Sequence, residues 1–141
     1  MGTQSVRVTW LIQRARRVLR TGQLAFEDED YASAINCAYY AVFYAANAAL
    51  STRGLERSKQ SGVVAEFRAQ FIKTGLIEPE YSAFYGDTLD ARQSGDYDFV
   101  MEPGYERAQA ALDEARQFLE RIEQFLQDQG YAPTSSVADP Q

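Results

Sequence analysis

The chain of 141 residues contains no histidine and only one cysteine, Cys37. The absence of histidine excludes Ser-His and Cys-His nucleophile pairs and the Glu-x-x-His motifs of di-iron helical bundles. A zinc site of the usual kind is also excluded, because one cysteine cannot supply its ligands, and we predict neither a metal nor a cofactor. A lone cysteine rules out an internal disulfide and is typical of a reducing cytoplasm, where we expect this protein to reside.

Glycine-rich phosphate loops of the types G-x-G-x-x-G and G-x-x-x-x-G-K-[ST] do not occur. The first ten residues have no apolar signal core, so we do not expect secretion. Residues 31–52 carry no charge and are long enough to span a bilayer. Because they include polar side chains and are rich in Ala and Tyr, we interpret them as a helix buried inside the protein and expect no membrane association.

The net charge of −6 disfavours general binding to nucleic acid, but the charge is unevenly distributed. Residues 1–73 hold ten basic and six acidic side chains, whereas residues 74–141 hold four basic and fourteen acidic ones. Four arginines cover much of the polar surface of the first helix (Arg14, Arg16, Arg17 and Arg20). They form either a solvated face that complements neighbouring helices or a patch that faces phosphate.

Apolar residues recur at helical spacing in five segments, and no segment alternates as a strand would. Helix start and stop signals place these helices at about residues 5–24, 31–53, 58 or 61 to 75, 79–94 and 103–129. The predicted fold is all-α: an antiparallel four-helix up-and-down bundle with an additional short helix, the third, lying across it. Residues 1–130 form this domain, and residues 131–141 are predicted to be a flexible tail.

Three segments, taken in order, resemble one family. They are the helix Tyr31-Ala32-Ser33-Ala34 leading into Ala38-Tyr39-Tyr40-Ala41-Val42-Phe43, the stretch from Gly62-Val63 to Thr74-Gly75, and the turn Arg92-Gln93-Ser94-Gly95-Asp96-Tyr97-Asp98. With the long helix that follows, they are similar to short stand-alone prokaryotic HEPN domains over roughly residues 8–127.

The resemblance implies a helical bundle, a homodimer, and a minimal nucleotidyltransferase as partner in a toxin–antitoxin or defence pair. In the nuclease branches of the family an R-x(4–6)-H motif cleaves RNA without a metal ion. Arg92 matches the arginine, but Tyr97 stands at the histidine position. A tyrosine that the partner enzyme modifies in some members maps to Phe99, and a histidine at the start of the third helix maps to Gln60.

These departures change the chemistry that the turn could perform. Histidine titrates near neutrality and can either accept or donate a proton, whereas tyrosine, with an ordinary pKa near 10, can donate but is a poor base. We therefore predict a catalytic set of Arg92, Tyr97, Asp96 and Asp98. In this set an aspartate accepts the proton of the RNA 2′-hydroxyl, and the guanidinium N–H groups of Arg92 bind a phosphate. RNA or nucleotide contacts are predicted for Arg92, Arg14, Arg17 and Asn36.

Three alternatives remain open from the sequence. Arg92 could instead pin its turn by bonding the last helix carbonyls and pairing with Asp96 or Asp98. The protein could be a non-catalytic dimeric module that binds a nucleotide or a partner and regulates it, or a purely structural oligomer. The tyrosines of the second helix are interpreted as core residues, and Cys37 as a small core residue rather than a reactive thiol.

Overall fold

Five helices make up most of the computed structural model, which describes residues 2–55, 59–97 and 104–131 and the side chains of residues 5–55, 59–93 and 104–131. They are α1 (Gly2–Glu27), α2 (Tyr31–Ser51), α3 (Gln60–Phe67), α4 (Pro79–Tyr97) and α5 (Tyr105–Asp128). A π-helical segment, Arg68–Ile72, extends α3. Within the described ranges there is no strand, so the predicted all-α class is confirmed. The predicted tail lies outside these ranges from residue 132 onward.

The helix boundaries follow local signals. Asp30 caps α2, because its carboxylate accepts a hydrogen bond from the Ser33 backbone N–H at 3.2 Å. Gly54 and Gly130, which directly follow the predicted second and fifth helices, have φ angles of 72° and 92°, a conformation that most side chains disfavour.

Side-chain contacts give the direction of each helix. On α1, Gly22 lies against Cys37 of α2, and Arg16 donates to Glu123 of α5 at 2.6 Å. On α4, Tyr85 packs against Phe118 of α5. Second contacts fix the directions: Trp10 of α1 meets Tyr44 of α2, Gly22 of α1 lies near Leu112 of α5, and Glu78, just before α4, pairs with Arg121 of α5. Helices α1 and α4 therefore run in one direction and α2 and α5 in the other, which confirms the up-and-down bundle.

Helix α2 occupies the centre of the bundle and contacts every other helix. Seven of its eight alanines are completely buried, the exception being Ala32 in the first turn, and these small side chains allow the neighbouring helices to approach closely. Residues 31–52 are thus a buried helix, as predicted. Among the described residues, no helix is both long enough and apolar enough to cross a lipid bilayer.

One predicted boundary is wrong. We expected Ser94-Gly95 to end the fourth helix, but α4 continues to Tyr97. A glycine within a helix costs only about 1 kcal/mol relative to alanine, which the rest of a long helix can offset. The segment from Arg92 to Tyr97 is therefore helical and not a turn.

Candidate functional site

Arg92 reaches from α4 to side chains of α2. Its Nε donates a hydrogen bond to Oδ1 of Asn36 at 2.9 Å, and its Nη2 lies 3.5 Å from the hydroxyl oxygen of Tyr40. The structure thus brings together two of the predicted RNA-contacting residues, Arg92 and Asn36, which are 56 positions apart in sequence. Arg92 lies five residues before the end of its helix, and these bonds cross to another helix rather than closing a local turn.

The Arg92 guanidinium packs against two tyrosine rings. Its central carbon lies 5.1 Å from the Tyr39 ring centroid and 5.3 Å from that of Tyr40, which is cation–π range. The Tyr39 ring is fully buried. Burial raises the pKa of Tyr39 to about 12, although the Arg92 charge opposes the shift. Tyr39 therefore stays protonated near neutral pH. Its ring packs against the Arg92 cation, and its hydroxyl does not act as a base.

Gln60, the first residue of α3, completes the group. Its side-chain Nε2 donates a hydrogen bond to the Tyr40 hydroxyl at 3.0 Å. The Tyr40 oxygen thus accepts from both Gln60 and Arg92, which leaves the Tyr40 hydrogen to be donated elsewhere. We call Arg92, Asn36, Tyr40 and Gln60 the Arg92 cluster.

Among the described side chains, the Arg92 cluster has more N–H donors than partners. An arginine has five N–H bonds, and Arg92 directs two of them at Asn36 and Tyr40. The other three have no partner among the residues that the structure describes, and Asn36 itself is exposed. Fixed, positively charged donors with an exposed amide beside them are suited to bind the oxygens of a phosphate.

The other predicted catalytic residues lie at or beyond the end of α4. Because the helix continues, residue 96 follows Arg92 by four positions and falls on the same side of α4, whereas residue 97 is rotated away by about 140°. The described side chains stop at residue 93 in this helix. Asp96 and Tyr97 are thus placed by backbone alone, and Asp98 and Phe99 lie outside the described residues.

Arg14 and Arg17, also predicted to contact RNA, lie on α1, apart from Arg92. With Trp10 and Gln13 they line a shallow depression. The Arg14 guanidinium carbon lies 5.7 Å from the ring centroid of Tyr44 on α2.

A row of aromatic rings connects the two places. Trp10 meets Tyr44 edge to face with ring centroids 6.4 Å apart, and Tyr44 lies 6.3 Å from Tyr40, whose hydroxyl contacts Arg92. We call Trp10, Tyr44 and Tyr40 the aromatic strip.

Our sequence reasoning missed the aromatic strip. We interpreted the tyrosines of α2 as core residues. Tyr39 is buried in the core, whereas Tyr40 and Tyr44 pack against the core but remain partly exposed. Their spacing is a signal that the sequence does contain. Tyr40 and Tyr44 follow the polar Asn36 at intervals of four residues, so the three side chains share one side of the helix.

Comparison with known proteins identifies the family. A family model described as the HEPN domain matches residues 8–125, most of the chain. This chain belongs to the HEPN family. The resemblance of the three sequence segments is thereby confirmed, and the matched range of this HEPN protein contains the Arg92 cluster and the whole aromatic strip.

Similar proteins come from a bacterium and an archaeon. A "UPF0332 protein" of Thermotoga maritima is 38% identical over 116 residues, which cover 82% of this HEPN chain and 88% of the relative. Two proteins of Methanocaldococcus jannaschii, each named "Putative toxin", are 31% identical over 116 residues and 33% identical over 118 residues. These alignments cover 82% and 84% of the HEPN chain and 79% and 87% of the relatives.

Proposed function

We propose that this HEPN protein is the toxin of a toxin–antitoxin pair and that it binds and cleaves RNA at the Arg92 cluster without a metal ion. The observation that carries the proposal is the convergence of Arg92, Asn36, Tyr40 and Gln60 from three helices on one accessible group of donors. The names of the two archaeal relatives support the toxin role.

The proposed cleavage requires no group beyond those of the chain and the RNA. The 2′-oxygen attacks the adjacent phosphorus, the bond from phosphorus to the 5′-oxygen breaks, and the products are a 2′,3′-cyclic phosphate and a free 5′-hydroxyl. Arg92 holds the non-bridging oxygens and stabilises the charge that develops on them. Asp96 or Asp98 accepts the 2′ proton. Tyr97, which α4 turns about 140° away from Arg92 of its own chain, donates a proton to the leaving oxygen from the second copy of the proposed dimer, and return of the first proton to Tyr97 restores both groups.

The test is cleavage of RNA by the purified protein in excess EDTA, with detection of the cyclic phosphate by mass spectrometry. Arg92→Ala should lower the cleavage rate by about 100-fold or more, the usual effect of removing one donor to a developing oxyanion. Arg116→Ala is the matched control, because Arg116 is an exposed arginine whose described ion pair is with Asp113 on the same helix. Cleavage that requires added metal, or that survives Arg92→Ala, contradicts the proposal.

A second candidate is a non-catalytic module that binds RNA or a nucleotide and regulates a partner. It is favoured by the lack of histidine and by the bonds that already hold Arg92 to Asn36 and Tyr40. Oligonucleotide binding that is lost in Arg92→Ala, without cleavage by the unmodified protein, would select this candidate over the nuclease.

The proposed partners are a second copy of the chain and a minimal nucleotidyltransferase. Sedimentation velocity should give twice the chain mass, and co-expression with a nucleotidyltransferase encoded beside the gene should yield a co-purifying complex. Expression of the HEPN protein alone should arrest growth, and co-expression of the partner should relieve the arrest. A monomer that neither arrests growth nor retains the transferase would exclude the paired-toxin role.

A further inference from the structure

Trp10 is a large apolar side chain that α1 leaves in solvent. It is 56% exposed, whereas Val8, Leu11 and Ile12 on another face of the same helix lie in the core. Its ring meets Tyr44 edge to face, and more than half of the residue's surface is exposed among the side chains that the structure describes, so it offers an aromatic surface to a ligand.

The charges beside Trp10 are all positive and partly unpaired. Residues 2–26 contain five arginines and no acidic residue. Arg16 is paired with Glu123, whereas Arg14 and Arg17 form no ion pair within the described part of the chain. An exposed indole flanked by two unneutralised guanidinium groups complements a ligand that has both aromatic faces and negative charges.

We infer that Trp10, with Arg14 and Arg17, forms a second contact site for RNA, in which an unpaired base stacks on the indole while the arginines hold its phosphates. The inference rests on the proposed function for the identity of the ligand. It adds a site on α1 and a restriction to single strands, since duplex bases stack on one another and hide the faces that an indole would meet.

The aromatic strip gives this site a path to the Arg92 cluster. From residue 36 to residue 44 the rise along α2 is roughly 12 Å, which is the span of on the order of four stacked nucleotides. At one end of the row Trp10 contacts Tyr44, and at the other end Arg92 contacts Tyr40. A strand that stacks on Trp10 would therefore be directed toward the donors proposed to act on its phosphate.

Trp10 is the single tryptophan of the chain, so its fluorescence reports on this site directly. Titration with a single-stranded RNA of about ten nucleotides should quench the emission, and the same RNA annealed to its complement should not. Trp10→Ala should weaken binding of the labelled single strand by roughly 5- to 150-fold, the range for loss of one stacked base. Leu24→Ala is the control, because Leu24 is a 58% exposed apolar residue of α1 outside the strip. It should bind as the unmodified protein does.

The outcomes separate this inference from the proposed function. Unchanged binding by Trp10→Ala, or equal quenching by duplex, overturns the α1 site even if Arg92→Ala abolishes cleavage. Quenching by the single strand without cleavage by any variant supports the α1 site and removes the nuclease. Emission of a buried indole before RNA is added, together with dimer loss in Trp10→Ala, would assign Trp10 to a contact between copies and overturn the inference.

Discussion

Glu114 is the one carboxyl among the described side chains whose pKa is raised to near neutrality. Partial burial, and then the nearby Asp87 carboxylate of α4, raise the pKa of Glu114 from 4.5 to about 7. The folded protein therefore holds a proton that the unfolded chain has already released, so stability falls as the pH rises from about 4.5 through about 7.

We therefore expect Glu114→Gln to raise the free energy of unfolding at about pH 8 and to have little effect near pH 4. The gain should be about 1 kcal/mol, since solvent screens a carboxyl that is only partly buried. Urea unfolding at the two pH values measures it. The matched control is Glu120→Gln, an exposed position of the same helix, and an equal gain for the two variants would contradict the role of Asp87.

The hydroxyl groups of three tyrosines lead to a second prediction. The Tyr85 hydroxyl is buried and has no hydrogen-bond partner in the described part of the chain, whereas the Tyr40 hydroxyl accepts bonds from Gln60 and Arg92. Tyr85→Phe should raise the free energy of unfolding by about 1 kcal/mol, because an unsatisfied buried hydroxyl is removed and the ring remains. Tyr40→Phe should lower it by about 1 kcal/mol.

Thermal and urea unfolding of these two variants measure the difference. Tyr39→Phe provides an internal check, because the Tyr39 hydroxyl is also buried without a described partner and the variant should behave like Tyr85→Phe. If both buried substitutions destabilise the protein, their hydroxyls have partners, such as an internal water, and the expectation is wrong.

The contact between α1 and α2 depends on the absence of a side chain at Gly22. A Cβ built there would lie 2.8 Å from the Cys37 Cβ and 3.1 Å from Leu112 Cδ2. Gly86 in α4 differs, since a Cβ would meet only the far end of the Arg68 side chain at 3.4 Å.

Gly22→Ala should therefore lower the free energy of unfolding by about 1–2 kcal/mol, because the cost of overpacking exceeds the gain in helix propensity. Gly86→Ala should raise it by about 0.5–1 kcal/mol, because only the propensity term remains. Thermal unfolding of the two variants shows whether each substitution raises or lowers the stability. Stabilisation by Gly22→Ala would show that the two helices separate at little cost.

The helices were predictable because periodicity, caps and glycine stops all act locally. The helical spacing of apolar residues and the predicted helix ends near residues 53 and 129 depend on contacts within one or two turns, and each was found in the structure. The end of α4 was not predictable, because the sequence Ser94-Gly95 indicates a stop whose strength depends on how well the rest of the helix packs. The π-helical extension of α3 at Arg68–Ile72 has no local signal that we recognise.

The candidate site was predictable only in part, for a physical reason. Arg92 and Gln60 could be selected by their places in the resemblance, and Asn36 by its residue type. That these three meet around the Tyr40 hydroxyl depends on how α2, α3 and α4 are placed, which no local pattern specifies. Tyr40 and Tyr44 were missed since the same ring serves equally well in a core or on a surface strip.

The charge asymmetry leads to a prediction for the whole molecule. A protein with a net charge of −6 repels RNA as a whole, so any binding must come from a few local cations that displace counterions from phosphates. Arg14, Arg17 and Arg92 are the candidates along the aromatic strip. Three phosphate contacts on a single strand give a slope of about −2 for the logarithm of the binding constant against the logarithm of the salt concentration.

Replacing Arg14 and Arg17 together by glutamine should reduce that slope to about −0.7, since only the Arg92 contact remains. Fluorescence anisotropy of a labelled single-stranded RNA between about 50 and 200 mM salt measures it. Arg116→Gln makes the net charge more negative by one unit, but Arg116 pairs with Asp113 on α5, a helix that contributes no residue to the strip. If the strip carries the binding, this control lowers the affinity slightly at every salt concentration and leaves the slope unchanged. If Arg116→Gln changes the slope by as much as each of the two substitutions in the α1 double variant, the RNA responds to the net charge of the protein and not to the arginines of the strip.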